Sequence, residues 1–291
     1  MLVTAARALC AYPAVPHAEC GLKLSRAGTR AGYRKDCAIP LSPTPLEGRV
    51  AVISGATGGI GAATARLMAD AGAAILLGYN SSETKARELA SELPGGSARH
   101  GVTPMMLHDS ATLNAAAAAC RDQFGRCDIL VNAAGHTNAI PHHDLERLDD
   151  ETFDKIMVSN VRGPFASIRA FAPLMAETGE AVVINVSSIS GFTGSGSNVA
   201  YCASKAALDN LALSLGRALG PRIRVVSVSP AAVNTPFVPG RTAEAIEAAA
   251  AKTPLKRVME PEEVAWAVLA AVTHLGMATG TRIVVDGGRH L

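Results

Sequence analysis

The chain has 291 residues, 48% of them hydrophobic, and a formal net charge of +2. That is apolar material enough for one large core. A body so near neutrality lacks the basic footprint of a nucleic-acid binder, and no apolar run approaches the ~20 residues of a membrane span.

The charge is uneven. Residues 1–45 hold Arg7, Lys23, Arg26, Arg30, Arg34 and Lys35 against Glu19 and Asp36, so the remainder is slightly acidic. The same stretch carries five of the sixteen prolines and three of the six cysteines (Cys10, Cys20, Cys37), without sustained periodicity. Arg7 and Pro13 interrupt the apolar stretch that a secretory signal needs. A basic, acid-poor leader is compatible with an organellar transit peptide, but a disordered extension, or translated sequence upstream of the start, is the simpler reading. Residues 1–45 are therefore taken as a disordered N-terminal extension of a cytoplasmic protein, and 46–291 as a single domain. Cys120, Cys127 and Cys202 have neither metal-ligand spacing nor the density of a disulfide scaffold, which suits a reducing compartment.

From Leu46 apolar strands alternate with helical stretches, the pattern of a doubly wound parallel α/β sheet with helices on both faces, a Rossmann-type fold. Arg49–Ser54 reads as the first strand, followed by Gly55-Ala-Thr-Gly-Gly-Ile-Gly61 and a helix through Asp70. This is a phosphate-cradling turn: Gly55 permits the tight bend, Gly59 the approach of a pyrophosphate, and Gly61 close helix–strand packing. The second strand, Ala74–Tyr79, runs into Asn80-Ser81-Ser82, with no carboxylate where a NAD-binding unit commonly places one. NADP(H) is thereby favoured over NAD(H). A helix over Glu83–Glu92, a strand near Thr103–Leu107 and an Ala-rich helix ending near Phe124 follow. The fourth strand, Ile129–Asn132, leads to Ala133-Ala134-Gly135, small enough for a flat ring to lie against the backbone. Glu151–Glu177 reads as mostly helical, with Asn160 inside its apolar stripe.

Ala181–Val186 reads as a buried parallel strand whose carboxyl end delivers Ser188 to the edge where such sheets bind ligands. Tyr201 and Lys205, four apart on a predicted helix over Ala200–Leu219, share one face. A cation about 4 Å from the phenol, at an effective dielectric near 20, contributes roughly 4 kcal/mol, enough to draw a tyrosine from about 10 toward neutrality. That would suit it to proton transfer. The strand Ile223–Ser229 precedes Pro230–Pro236, a lid to about Arg257, a helix from Pro261 to His274, and a last strand, Arg282–Val285.

The ordered pieces S-G-A-T-G-G-I-G (54–61), N-A-A-G (132–135), Asn160, Ser188, Y-x-x-x-K (201–205), S-P-A (229–231) and V-D-G-G (285–288) resemble the short-chain dehydrogenases/reductases over nearly all of 46–291. They are closest in kind to the 3-oxoacyl-acyl-carrier-protein reductases. The resemblance implies a catalytic dinucleotide-binding domain that interconverts a carbonyl and a secondary alcohol by hydride transfer. Tyr201 would be acid or base, Ser188 would orient the carbonyl, Lys205 would tune Tyr201 and hold the nicotinamide ribose, and Asn160 would hold a water leading from Lys205 to solvent. Implied cofactor contacts are Ser54, Gly55, Thr57, Gly59, Ile60 and Gly61; Tyr79, Asn80 and Ser81; Asn132, Ala133 and Gly135; Tyr201 and Lys205; and Pro230, Val233 and Thr235.

Two substitutions against the family pattern, Ala133 and Ala231, are small, whereas Met106 stands where an Asp usually meets the adenine. Acidic Glu177 and Glu180 count against an acyl-carrier partner, while Arg222, Arg241, Lys252, Lys256 and Arg257 count for one. His136, His142 and His143 are too irregularly spaced for a metal, and none is required. The implied partners are a small carbonyl or alcohol substrate and further copies of the chain, in a tetramer or dimer, with neither nucleic acid nor membrane. The alternatives are a NAD-dependent alcohol, sugar or steroid dehydrogenase of the same family, and a dinucleotide-binding sensor or scaffold that does not turn over.

Overall fold

The computed structural model describes residues 44–291; the expectations for the basic, proline-rich leader concern residues outside this range. The chain enters the core at Leu46, which is buried and whose N–H donates to the Ala71 carbonyl.

Seven parallel strands form one sheet in the order β3-β2-β1-β4-β5-β6-β7. They are β1 (Val50–Ser54), β2 (Ala74–Tyr79), β3 (Gly101–Pro104), β4 (Ile129–Asn132), β5 (Ala181–Val186), β6 (Ile223–Pro230) and β7 (Thr281–Val285). The central strands β1, β4 and β5 are buried along their whole length. They read as continuous apolar runs because both faces of the sheet are covered.

The helices are α1 (Gly59–Asp70), α2 (Glu83–Glu92), α3 (Gly96–Arg99), α4 (Ser110–Phe124), α5 (Asp150–Met157), α6 (Gly163–Thr178), α7 (Ser190–Thr193), α8 (Val199–Leu219), α9 (Ala243–Ala250) and α10 (Pro261–Thr273). One apolar cluster joins the sheet to α1, α2 and α10 through Met68, Leu89, Val264 and Val268. The other joins it to α4, α6 and α8 through Leu113, Phe171, Leu174 and Ala212. Among the described residues no helix is long and apolar enough to cross a membrane.

Two boundaries differ from the sequence reading. The third strand lies earlier than expected, because the Met105 side chain turns down under Gly78, where a Cβ would come within 2.4 Å of its sulfur. Met105 keeps one hydrogen bond to β2, its N–H donating to the Tyr79 carbonyl at 2.7 Å, and the chain then turns away from the sheet with Met105 and Leu107 buried. The helix expected across 151–177 is interrupted by a π-turn, Val158–Arg162, with Asn160 at its centre. A fully buried amide there satisfies its own hydrogen bonds at the expense of regular helix geometry, as π-turns often do near functional sites.

The strand order reverses between β1 and β4, so the loops leaving these two strands diverge and open a crevice at their carboxyl ends. The crevice is where the glycine turn, the Ala133–Gly135 loop and the β5–α8 connection meet.

Candidate active site

The glycine turn forms the floor of the crevice. Gly55 has φ +67°, and a Cβ there would come within 2.7 Å of the Ala134 backbone, so the turn needs a residue that is both left-handed and bare. Helix α1 starts immediately afterwards with Gly58 at its N-cap, no side-chain cap and no acidic residue in its first turn. Its leading N–H groups are left for an anion. At Gly59 a Cβ would strike the Thr235 methyl at 2.5 Å. That glycine therefore admits the β6–α9 loop as well as a ligand, which the motif alone did not convey.

The cavity above this floor has a volume of about 620 Å³. Gly55, Gly59, Ile60 and Gly61 line it at one end, Ala133 and Gly135 beside them, and Pro230, Val233 and Thr235 opposite. Ser188, Tyr201 and Lys205 line the same space.

Each of these last three residues is held by its neighbours. Ser188, at the exit of β5, donates to Ser190 Oγ at 3.1 Å and accepts from the Ser190 N–H at the same distance. Its hydroxyl also lies close enough to the Tyr201 phenol to pull that group's pKa down. Asn198 caps α8 by accepting from the Tyr201 N–H at 2.7 Å, while its amide donates to the Asn138 carbonyl at 2.8 Å and to Thr137 Oγ1 at 3.2 Å. The first turn of α8 is thereby laced to the loop after β4. The Tyr201 ring also packs near Phe237, with centroids 6.1 Å apart.

Lys205, one turn later, is buried and donates to the Val186 carbonyl at 2.8 Å, with its nitrogen 5.6 Å from the Tyr201 ring centroid. This geometry corrects the electrostatic expectation. Burial dominates at both groups: it pushes Tyr201 up to about 12, against the lowering pull of Ser188 and Arg241, and pushes Lys205 down to about 8. The sequence argument counted the attraction between the two and left out the water each loses on burial.

Asn160 stands one layer behind. Its amide donates to the His136 carbonyl (2.9 Å) and Ser204 Oγ (3.0 Å), and its oxygen accepts from the His136 N–H (2.8 Å). Ser204 in turn donates to the Tyr201 carbonyl at 2.8 Å. Both amide donor hydrogens are thus engaged by protein, and the side chain braces α8 against the 136 loop.

Ser54 and Asn132 also lie beneath the cavity, Ser54 bridging the Val131 carbonyl and the Ala134 N–H and Asn132 donating to Asn185. Thr57 is half-buried in the turn without lining the cavity. Tyr79, Asn80 and Ser81 lie at the end of β2, beyond it. There the structure adds a carboxylate that the strand itself lacks: Glu83 on α2 stands close enough to the Tyr79 phenol to raise its pKa and is paired with Arg87 at 2.6 Å. Among the described residues no three His, Cys, Asp or Glu side chains gather as metal ligands. His142 instead contacts the Gly196 carbonyl at 3.2 Å.

Comparison with known proteins agrees with this geometry. A family model described as enoyl-(acyl carrier protein) reductase matches residues 55–290. The chain belongs to the short-chain dehydrogenase/reductase family. A protein of Burkholderia xenovorans solved as a short-chain dehydrogenase/reductase is similar at 32% identity with a TM-score of 0.78, covering 83% of this chain and 97% of that one. Curated short-chain dehydrogenase/reductase relatives include a 3alpha-hydroxysteroid dehydrogenase of Mediterraneibacter gnavus, 35% identical over 83% of this chain and 97% of its own. Another is a 3-oxoacyl-[acyl-carrier-protein] reductase of Thermotoga maritima, 34% identical over 84% and 98%. Members of the family are oxidoreductases acting on CH–OH or carbonyl groups with a nicotinamide dinucleotide. The uncapped, acid-free start of α1 and the bare glycine floor fit the pyrophosphate of such a cofactor.

The sequence reading passed over Asn198 and gave Arg241 only as one of the cations favouring an acyl-carrier partner. Asn198 was signalled by its place directly before the apolar helix, the usual N-cap position. The inward turn of Arg241 had no such signal, because it depends on how the lid folds back.

Proposed function

We propose that the protein is an NADPH-dependent reductase of a ketone or a 3-oxoacyl thioester, with Tyr201 as proton donor. The observation that carries this reading is the Tyr201 phenol, lining with Ser188 and Lys205 a cavity that the glycine turn also lines. Burial pushes its pKa up to about 12, so it is neutral at physiological pH and holds the proton that reduction requires.

The bound nicotinamide supplies the hydride to the carbonyl carbon. Ser188 holds the carbonyl oxygen, and Tyr201 passes it the phenolic proton as the alcohol forms. Lys205, protonated below about pH 8, stabilises the phenolate left behind and reaches the nicotinamide ribose. Asn160 acts on this trio by bracing Ser204 and the Tyr201 backbone. The Gly55–Gly61 turn would hold the pyrophosphate, and Tyr79, Asn80 and Ser81 the adenosine end, where Arg87, shared with Glu83, would supply a cation for a 2′-phosphate.

A second reading, a NAD-dependent alcohol, sugar or steroid dehydrogenase, draws on Glu83, whose carboxylate stands beside Tyr79 and would oppose that phosphate. Titration with NADPH and NADH, then absorbance at 340 nm over ketones, 3-oxoacyl thioesters and quinones, separates the two. Tighter NADPH binding, with oxidation on a ketone or thioester, is expected. NADH preference would install the second reading, and binding without turnover of any carbonyl would leave only a dinucleotide sensor.

The same reading includes a homo-oligomer, dimer or tetramer, working in the cytoplasm. Exposed Phe153 and Phe165 near the Asn160 turn, and exposed Leu213 on α8, support association through these helices, and the free thiols Cys120, Cys127 and Cys202 suit a reducing compartment.

A further inference from the structure

The cations of the lid segment do different jobs. Arg257 pairs with Glu263, and Lys256 donates to the Ala251 carbonyl at 2.8 Å, so both serve the segment's own folding. Arg241 lines the catalytic cavity instead. One of its terminal amino groups is buried without a hydrogen-bond partner, and among the described residues Arg241 forms no ion pair. An amino group left in that condition is costly, because it has given up water without gaining a hydrogen bond in exchange.

The charged side chains that line the cavity share one sign, while Asp209 acts on Lys205 from outside it. Lys205, Arg241 and Arg289 all line the cavity, and no Asp or Glu side chain does. Arg241 also sits at the reacting end: its charge acts on the Tyr201 phenol, and Phe237, four residues before it, packs near the Tyr201 ring.

We propose that Arg241 is the specificity determinant for a carboxylate on the substrate, so that the carbonyl compound taken by this site is an oxo acid whose carboxylate pairs with the guanidinium while its ketone meets Ser188 and Tyr201. This rests on the reductase reading above and narrows it to the ketone arm. A planar guanidinium matches a carboxylate through two parallel hydrogen bonds. A site built around such a pair also rejects analogues that lack the partner, because they leave the guanidinium stranded.

The test uses 3-oxobutanoate, 4-oxopentanoate and 5-oxohexanoate, each against its methyl ester, with the full-length protein and with Arg241→Met and Arg241→Lys. One acid should exceed its ester by tenfold or more in kcat/KM. Arg241→Met should erase that ratio, mainly through KM, with the NADPH dissociation constant within about twofold of the parent. Arg241→Lys should restore part of the ratio. Calorimetric titration of pentanoate and methyl pentanoate into the NADP-saturated protein reads the pairing without turnover. Pentanoate should bind the parent more tightly than the ester and lose that advantage in Arg241→Met.

Equal kinetics and binding for acids and esters, or a preference that survives Arg241→Met, would overturn the proposal while leaving the reductase reading in place. A change in NADPH affinity with the acid preference unchanged would assign Arg241 to the dinucleotide and overturn it as well. Arg241-dependent pentanoate binding without reduction of any carbonyl would uphold the carboxylate site and remove the reductase reading.

Discussion

Tyr201 and Lys205 are displaced in opposite directions by the same cause. The neutral form is favoured at both, so the phenol keeps its proton and the amine releases its own early. Replacing Tyr201 by Phe removes the proton donor without changing the shape of the wall. It is expected to lower kcat by 10²-fold or more with NADPH affinity within about twofold, measured by steady-state kinetics and fluorescence titration. Reduction should decline as pH rises through about 8, when Lys205 loses the charge that stabilises the phenolate. The same amine carries a stability signature. Between about 8 and its ordinary value near 10.5 the unfolded chain binds the proton that the native protein has released, so stability rises with pH across that window. Lys205→Met should lack this rise, the difference approaching about 3 kcal/mol at its upper end. Parallel denaturant melts of parent and variant from pH 7 to 10 measure it, and identical pH slopes would refute it.

Helix α8 brings Tyr201 and Lys205 to the cavity, but its position is set at its first turn. Asn198→Ala should cost about 1 kcal/mol for the lost cap. It should also lower kcat, because the link from Tyr201 to the 137–138 loop goes with it. Thermal melts and kinetics on one preparation test both, and loss of stability without loss of rate would show that the cap serves only the helix. Periodicity and the four-residue spacing made α8 and its reactive face legible in advance. The glycine turn was equally plain, because only bare residues fit it. Less visible was everything set by what packs behind: Met105 folding under Gly78, the π-turn that accommodates Asn160, and Glu83 returning to Tyr79 from the next helix. Those features depend on neighbours distant in sequence or on side-chain direction, which a linear pattern does not encode.

At the scale of the whole molecule, the two apolar clusters on either face of the sheet are sealed, yet Phe165 and Leu213 remain outside them, exposed on helices that flank the site. Glutamate at both positions should shift sedimentation velocity from an assembly toward a single chain, while each monomer stays folded by circular dichroism. An unchanged sedimentation coefficient would place the interface elsewhere. The wall of the cavity has two origins. Strand ends and the glycine turn supply its fixed half, whereas Phe237, Val238 and Arg241 come from a segment that leaves and rejoins the body at nearly one point. Val233 bridges to Met259, the Asn234 N–H donates to the Met259 carbonyl at 2.9 Å, and its amide reaches the Glu260 carboxylate at 3.1 Å. A segment closed at its stem behaves as a cassette: grafting residues 236–258 from a relative between these anchors would exchange the substrate wall and leave the Thr235 contact with the glycine turn in place.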